Sequence, residues 1–247
     1  TVNFVAKAPV CTVYVPVRTH GPYASTGNPN FWPMVNLAER LWPTKSHWAY
    51  YQDSDIAEIE VCWALFIPYP CFGPYELPDD SGKVLTSLNI RDFFSDDPDE
   101  CDDANATTYY IGMVDNTINT GSVLGAAYLN DNVVWMKFPP QSPTSSTSSV
   151  WPDAGVTLAH ELGHGVGRRH VNCGGPDNID ASYPYPTNQI DNVGPANHYG
   201  FDPKLRNIFA PNAARDLMSY CDPVWTSDYT WKAIFSRLGS GLAEAAS

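Results

Sequence analysis

The sequence predicts an α/β (α+β) fold: a mixed, mostly parallel N-terminal sheet, a helix packed on it, and an irregular C-terminal subdomain that ends in a helix. Three observations predict it. Short strand-like runs alternate with helical periodicities as far as Phe138. The stretch Asn172 to Pro203 is rich in Gly, Pro, Asn and Asp and carries neither period. After Ser227, a good helix cap, Trp231, Ile234, Phe235 and Leu238 share one helical face.

Each element has its own reason. Val13, Val15 and Val17 alternate with polar or small residues, so Val10 to Val17 reads as a strand. Phe31 to Leu41 reads as a helix: Pro33 suits its first turn, and Met34, Leu37, Ala38 and Leu41 keep helical spacing. Ile56 to Ile67 reads as one strand or two, and Ser81 to Phe94 as a helix with Val84, Leu85, Leu88 and Phe93 on its apolar face. Thr108–Val114, Val123–Leu129 and Val133–Phe138 are three short strands separated by Asn, Asp and Gly turn chemistry. The Ser/Thr-rich run Gln141 to Ser149 reads as a surface loop within the domain. Asp153 is a cap candidate for a helix from about Ala154 to Gly165, and Gly239 to Ser247 is expected to fray.

Composition excludes several classes of function. The chain has 247 residues, 43% of them hydrophobic and 17% charged, which suits a globular protein. We expect a single domain, with an N-terminal subdomain over about 1–167 and a C-terminal one over about 168–247. The net charge of −13 argues against a nucleic-acid partner. No apolar run is long enough to span a membrane, and the start at Thr1 reads as that of a mature product. Six cysteines without a CxxC pair suggest disulfides in an oxidising compartment, hence a secreted protein. Their connectivity is open at this point.

The segment AHELGHGVGRRH, residues 159 to 170, carries the chemistry. His160 and His164 lie one helical turn apart on the same face, so both imidazoles can reach one metal ion. Glu161 is rotated from them by about 100°, placed to act on a water without binding the metal. A straight helix would carry His170 about 15 Å along its axis. Gly167 can take positive φ, end the helix and turn the chain so that His170 returns as a third ligand. Three neutral imidazoles leave one position open on zinc, where an activated water can attack an amide carbonyl while Glu161 serves as general base and acid.

At these residues the sequence resembles the metzincin clan of zinc endopeptidases, whose motif HExxHxxGxxH is followed by a methionine-containing turn. DLMSYC, Asp216 to Cys221, matches that turn. The resemblance implies that Met218 lies beneath the histidines as a structural support. It implies that Tyr220 stabilises the oxyanion and can reach the metal. It also implies that Gly121 to Leu129 supplies an antiparallel edge strand that holds extended substrate. Val171, after the third histidine, matches none of the residues that sort the common families. The long Pro/Asn/Gly-rich span before Met218 is similar to that of secreted, mostly bacterial members. The resemblance implies a turn passing under the site, which would bring Cys173 and Cys221 together; of the other four, Cys62 and Cys71 would close a short loop and Cys11 would pair with Cys101, with the full connectivity still open.

The function implied is that of a secreted zinc endopeptidase, a monomer acting on protein or peptide substrates. Specificity would come from a pocket built by the loop after Met218, near Asp222 to Thr226. One alternative is a peptidase of narrow specificity directed at glycoproteins or mucins. Another is a zinc-stabilised binding module without turnover, against which Glu161 argues. Structural Ca²⁺ has two candidate places, the acidic run Ser95 to Asp103 and the segment Gly175 to Asp180. His20, His47 and His198 read as surface histidines, with His198 the best placed to line the cleft. Asn105 opens a glycosylation sequon. Arg168 and Arg169 lack a role, unless one pairs with the acidic segment that follows.

Overall fold

A computed structural model describes residues 9–44, 49–52, 56–64, 67–94, 101, 106–139, 154–192, 194 and 197–244. Its centre is a five-stranded sheet in the order β2-β1-β5-β7-β6. These strands are β1 (Val10–Pro16), β2 (Ala49–Gln52), β5 (Thr107–Val114), β6 (Gly125–Ala127) and β7 (Val133–Lys137). All neighbours pair in parallel except β6, which runs antiparallel to β7 at one edge. β3 (Ile59–Ala64) and β4 (Ile67–Phe72) form a separate antiparallel hairpin, so the run at Ile56 to Ile67 divides into two strands and extends further.

Helices cover both faces of the sheet. α1 (Phe31–Leu41) and α3 (Ala154–Gly165) share a core with Tyr14, Ile111, Met113 and Met136, and α2 (Ser81–Phe94) packs its Val84, Leu85 and Leu88 against Val13, Val15 and Trp135. This covering explains why every residue of β1 is buried, Thr12 included, where alternation suggested one polar face. The first core also takes in Val171, Met218, Ile234 and Leu238, so the irregular segment and α4 (Asp228–Glu244) close over the same apolar centre. The Ser227 hydroxyl accepts the Thr230 N–H at 3.1 Å, which confirms the expected cap. α4 continues through Glu244, past Gly239 where fraying was expected to begin.

Three short pairs build the C-terminal part. β8 (Gly200–Asp202) pairs with β9 (Asn207–Phe209), and β10 (Arg215–Asp216) with β11 (Val224–Trp225). Cys11–Cys101 ties β1 to the segment before β5, and Cys173–Cys221 links the two sides of the C-terminal segment. The Cys62–Cys71 pairing lies outside the described side chains, although β3 and β4 place both cysteines in one hairpin. The Asp153 cap, the loop at Gln141 to Ser149 and His47 also lie outside the described residues. No described helix is long and apolar enough to cross a membrane.

α3 is held in place from below by α1. The Trp42 indole N–H donates to the Ala159 carbonyl at 3.0 Å. Gly155 lets the two helices touch: a Cβ there would lie 2.5 Å from the Met34 carbonyl oxygen and 2.6 Å from Leu37 Cβ. Gly155→Ala is therefore expected to destabilise the fold by about 1–3 kcal/mol in denaturant titration, because backbone must move. A neutral substitution would contradict this packing.

Candidate metal centre

α3 presents His160 and His164 on one face and then stops in a defined way. Gly167 has φ of +82°, its N–H donates to the His164 carbonyl at 2.8 Å, and the Arg168 N–H donates to the Gly163 carbonyl at 2.9 Å. That pair of bonds is a Schellman cap with Gly167 in the left-handed position. The chain then reverses, and His170 comes back beside α3. One ring nitrogen from each of His160, His164 and His170 lies within 4.8 Å of the others. The His164 and His170 Nε2 atoms are 3.1 Å apart.

The other nitrogen of each ring is already committed. His160 Nδ1 donates to the Leu217 carbonyl at 2.9 Å, His164 Nδ1 to Arg168 at 2.7 Å, and His170 Nδ1 to Asp177 at 2.6 Å. A carbonyl only accepts, so each ring is fixed with its proton on Nδ1 and a lone pair on Nε2. This is the outer-shell arrangement that prepares imidazoles for a metal. Burial holds His160 down to about 3, with the neighbouring His164 adding to the effect, and holds His164 down to about 4. Both rings are neutral at ordinary pH, as metal ligation requires. Three convergent imidazoles fit one zinc ion.

The remaining candidates surround this group. Glu161 is buried beside it, and desolvation pushes its carboxyl up to about 8. It faces the edge strand: a Cβ at Gly125 would lie 2.8 Å from Glu161 Cγ, so only glycine lets β6 pass so close. The Tyr220 hydroxyl lies 3.1 Å from His170 Nε2 on a half-exposed side chain. A cavity of about 470 Å³ runs alongside, lined by Val123, Leu124, Val156, Glu161, Tyr220 and Val224 among others. Of the loop after Met218, Asp222 and Val224 contribute to it, whereas Trp225 and Thr226 line a second cavity.

Met218 is fully buried, and its sulfur sits where a Cβ of Gly163 would come within 2.6 Å. The turn around it is stitched to the histidine segment. The Met218 carbonyl accepts the Val171 N–H at 2.8 Å, the Cys173 carbonyl accepts the Tyr220 N–H at 3.0 Å, and the Cys173–Cys221 disulfide joins the same two strands of chain. The buried Asp216 organises the turn. Its carboxylate accepts the Met218 and Ser227 N–H groups at 2.8 and 3.1 Å and the Thr230 hydroxyl at 3.0 Å. Asp216 stood in the quoted motif without a role, and its only sequence signal was an acid two residues before the methionine. Gly125 gave no signal beyond its place in a strand-like run.

The chain matches no family model and no curated protein. Among solved structures it is similar to a zinc-dependent peptidase from Methanocorpusculum labreanum (strain Z), at 16% identity and a TM-score of 0.32. The match covers 66% of this chain and 83% of that one. A likeness of that size decides nothing about the reaction, and the site stands on its own geometry.

Other expectations resolve differently. Arg168 does pair with the segment that follows: it meets Asp180 at 2.9 Å and lies over the Tyr229 ring. That pairing removes support for calcium at Gly175 to Asp180, because the Asp180 carboxylate is taken by Arg168, Tyr229 and the Ser182 N–H. Among the described residues, no side chain of this segment belongs to a group of three that could hold a metal ion; those groups are His160, His164 and His170, and Asp191, His198 and Asp228. Apart from Cys101, the acidic run Ser95 to Asp103 lies outside the described residues, as does Asn105. His20 pairs with Glu76 at the surface. His198 does not line the cleft; it bonds Asp191 in a second cavity.

Glu161 gives a signed pH dependence in the metal-free protein. Its folded carboxyl is raised from 4.5 to about 8, so the unfolded chain releases the proton first as pH rises. Its contribution to stability falls between those values and levels off above them. Glu161→Gln removes the ionisation. It should match the wild type below pH 4.5 and become progressively more stable relative to it up to about pH 8. Denaturant titrations across this range check it; a constant difference would contradict the burial.

Proposed function

We propose that this protein is a secreted zinc endopeptidase of metzincin type, with His160, His164 and His170 as the metal ligands. The observation that carries the reading is the set of three imidazoles, each fixed by a backbone carbonyl at Nδ1 with Nε2 turned to a common point. Bound there, zinc would supply a Lewis acid that polarises a peptide carbonyl and acidifies a water. A purely structural site would need no buried carboxyl beside it, and Glu161 is such a carboxyl.

Glu161 takes the proton of the attacking water and passes it to the leaving amine. A positive charge bound at the histidines would lower its raised pKa and ready it as a base. Tyr220 is half exposed with its hydroxyl 3.1 Å from His170 Nε2; with that nitrogen on the metal, the hydroxyl would be free to donate to the oxyanion. β6 is an edge strand with Gly125 against Glu161, so an extended peptide adding to it would pass directly over the carboxylate. The cavity beside Leu124 and Val224 would receive a substrate side chain. The two described disulfides are compatible with an oxidising, extracellular setting. The substrates are proteins or peptides, and the chain acts as a monomer.

Glu161→Ala is expected to retain about one zinc per chain while losing peptide cleavage by at least about 10²-fold, the scale of a lost general base. Tyr220→Phe should lower kcat by about 10²-fold with little change in KM. Metal analysis and cleavage of an unglycosylated peptide library check both. A wild-type chain that carries full zinc and cleaves no member of the library would overturn the catalytic reading.

A further inference from the structure

A second cavity, of about 400 Å³, lies behind the cleft and shares no lining residue with it. Its size is within the range of small-ligand sites. Three aromatic side chains line it while facing water: Tyr199 is 61% exposed, Phe201 55% and Trp231 41%. Beside them stand His198, Asp228 and Lys232. Large rings left in water within a concavity, next to charged groups, mark a binding surface rather than a defect of the core.

Several of the lining side chains are packed against neighbours. The Trp231 ring stacks on Phe235 with centroids 4.8 Å apart. Phe201 lies on β8, next to the fully buried Asp202, which is held by both arms of the Arg40 guanidinium. Trp225 forms part of the wall and stacks on Phe209 at 4.6 Å. The polar groups are equally fixed. His198 Nδ1 is 2.8 Å from Asp191, and Asp228 is engaged by the Tyr185 hydroxyl and by Lys232.

The chemistry selects the ligand class. Asp228 accepts hydrogen bonds and is paired with Lys232, which donates them, and His198 stands between Asp191 and Asp228, so donors and acceptors lie side by side around the rings. A hydroxyl both donates and accepts. A sugar ring carries hydroxyls at its rim and an apolar C–H face that suits the negative face of an aromatic ring. We propose that this cavity binds a hexopyranose unit of a glycan, stacked on the aromatic rings and hydrogen-bonded by His198, Asp228 and Lys232. Val224 lines the cleft and Trp225 lines this cavity, and consecutive strand residues point to opposite sides. A glycan held here would sit one strand away from the cleft. That consequence rests on the peptidase reading; the binding itself does not.

The test uses the full chain as zinc-loaded Glu161→Gln, exposed to a printed array of hexopyranose oligosaccharides, with calorimetry on those that bind. At least one oligosaccharide should bind. Trp231→Ala and Lys232→Met, both at exposed positions, should each weaken it by about 10-fold or more with an unchanged thermal transition. Absence of binding across the array overturns the proposal, as does binding that survives both substitutions. Displacement of the bound sugar by an unglycosylated peptide would also overturn it, in favour of a peptide-docking site. Because a non-cleaving protein is used and cleavage is measured on unglycosylated peptides, loss of one reading leaves the other intact.

Discussion

The orientation of three imidazole rings by three backbone carbonyls is the constraint on which the rest of this structure depends. Leu217, Arg168 and Asp177 supply those carbonyls from three different segments: the methionine turn, the loop that ends α3, and the return loop after His170. Each ring is fixed in tautomer and direction only if its segment is correctly placed. The irregular C-terminal segment is therefore not loose connection. Its irregularity brings unpaired carbonyls to the histidines, which regular secondary structure would have consumed internally.

Those segments need anchoring of their own. The methionine turn is fixed from beneath by Asp216, whose carboxylate accepts two backbone N–H groups and one hydroxyl in a fully buried position. Burial raises its pKa while these bonds oppose that rise. The return loop is held by the Arg168–Asp180 pair, by Tyr229, and by the Cys173–Cys221 disulfide. The helix itself is positioned by close contact with α1 and by β6, which approaches so near that Gly125 has no room for a side chain. The three imidazoles thus sit where three separately braced pieces of chain meet.

Much of this was legible in the sequence because local rules dominated locally. The histidine spacing and Gly167 foretold the helix, its end and the return of the chain; the partly parallel sheet followed from the order of short strands and helices, and its antiparallel edge strand from the resemblance. The proximity of Cys173 to Cys221 followed from a resemblance, and the disulfide is present. What stayed hidden depends on residues distant in sequence. β2 has no strong strand pattern of its own and exists through pairing with β1. Asp216 looks like an ordinary turn acid until Thr230 and Ser227 are folded against it. His198 stands between the histidine motif and the methionine turn, yet Asp191 draws it to the other side of β11. The calcium reading at Asp180 failed because a nearby arginine is a better partner for that carboxylate than its acidic setting suggested.

X-ray absorption at the zinc edge tests the central claim most directly. The zinc-loaded wild type should show one zinc per chain in a shell of three imidazole nitrogens at about 2.0–2.1 Å and a light-atom oxygen, with no sulfur. His164→Ala should lose one imidazole from that shell. Sulfur in the first shell, fewer than three imidazoles in the wild type, or a chain that takes up no zinc would contradict it.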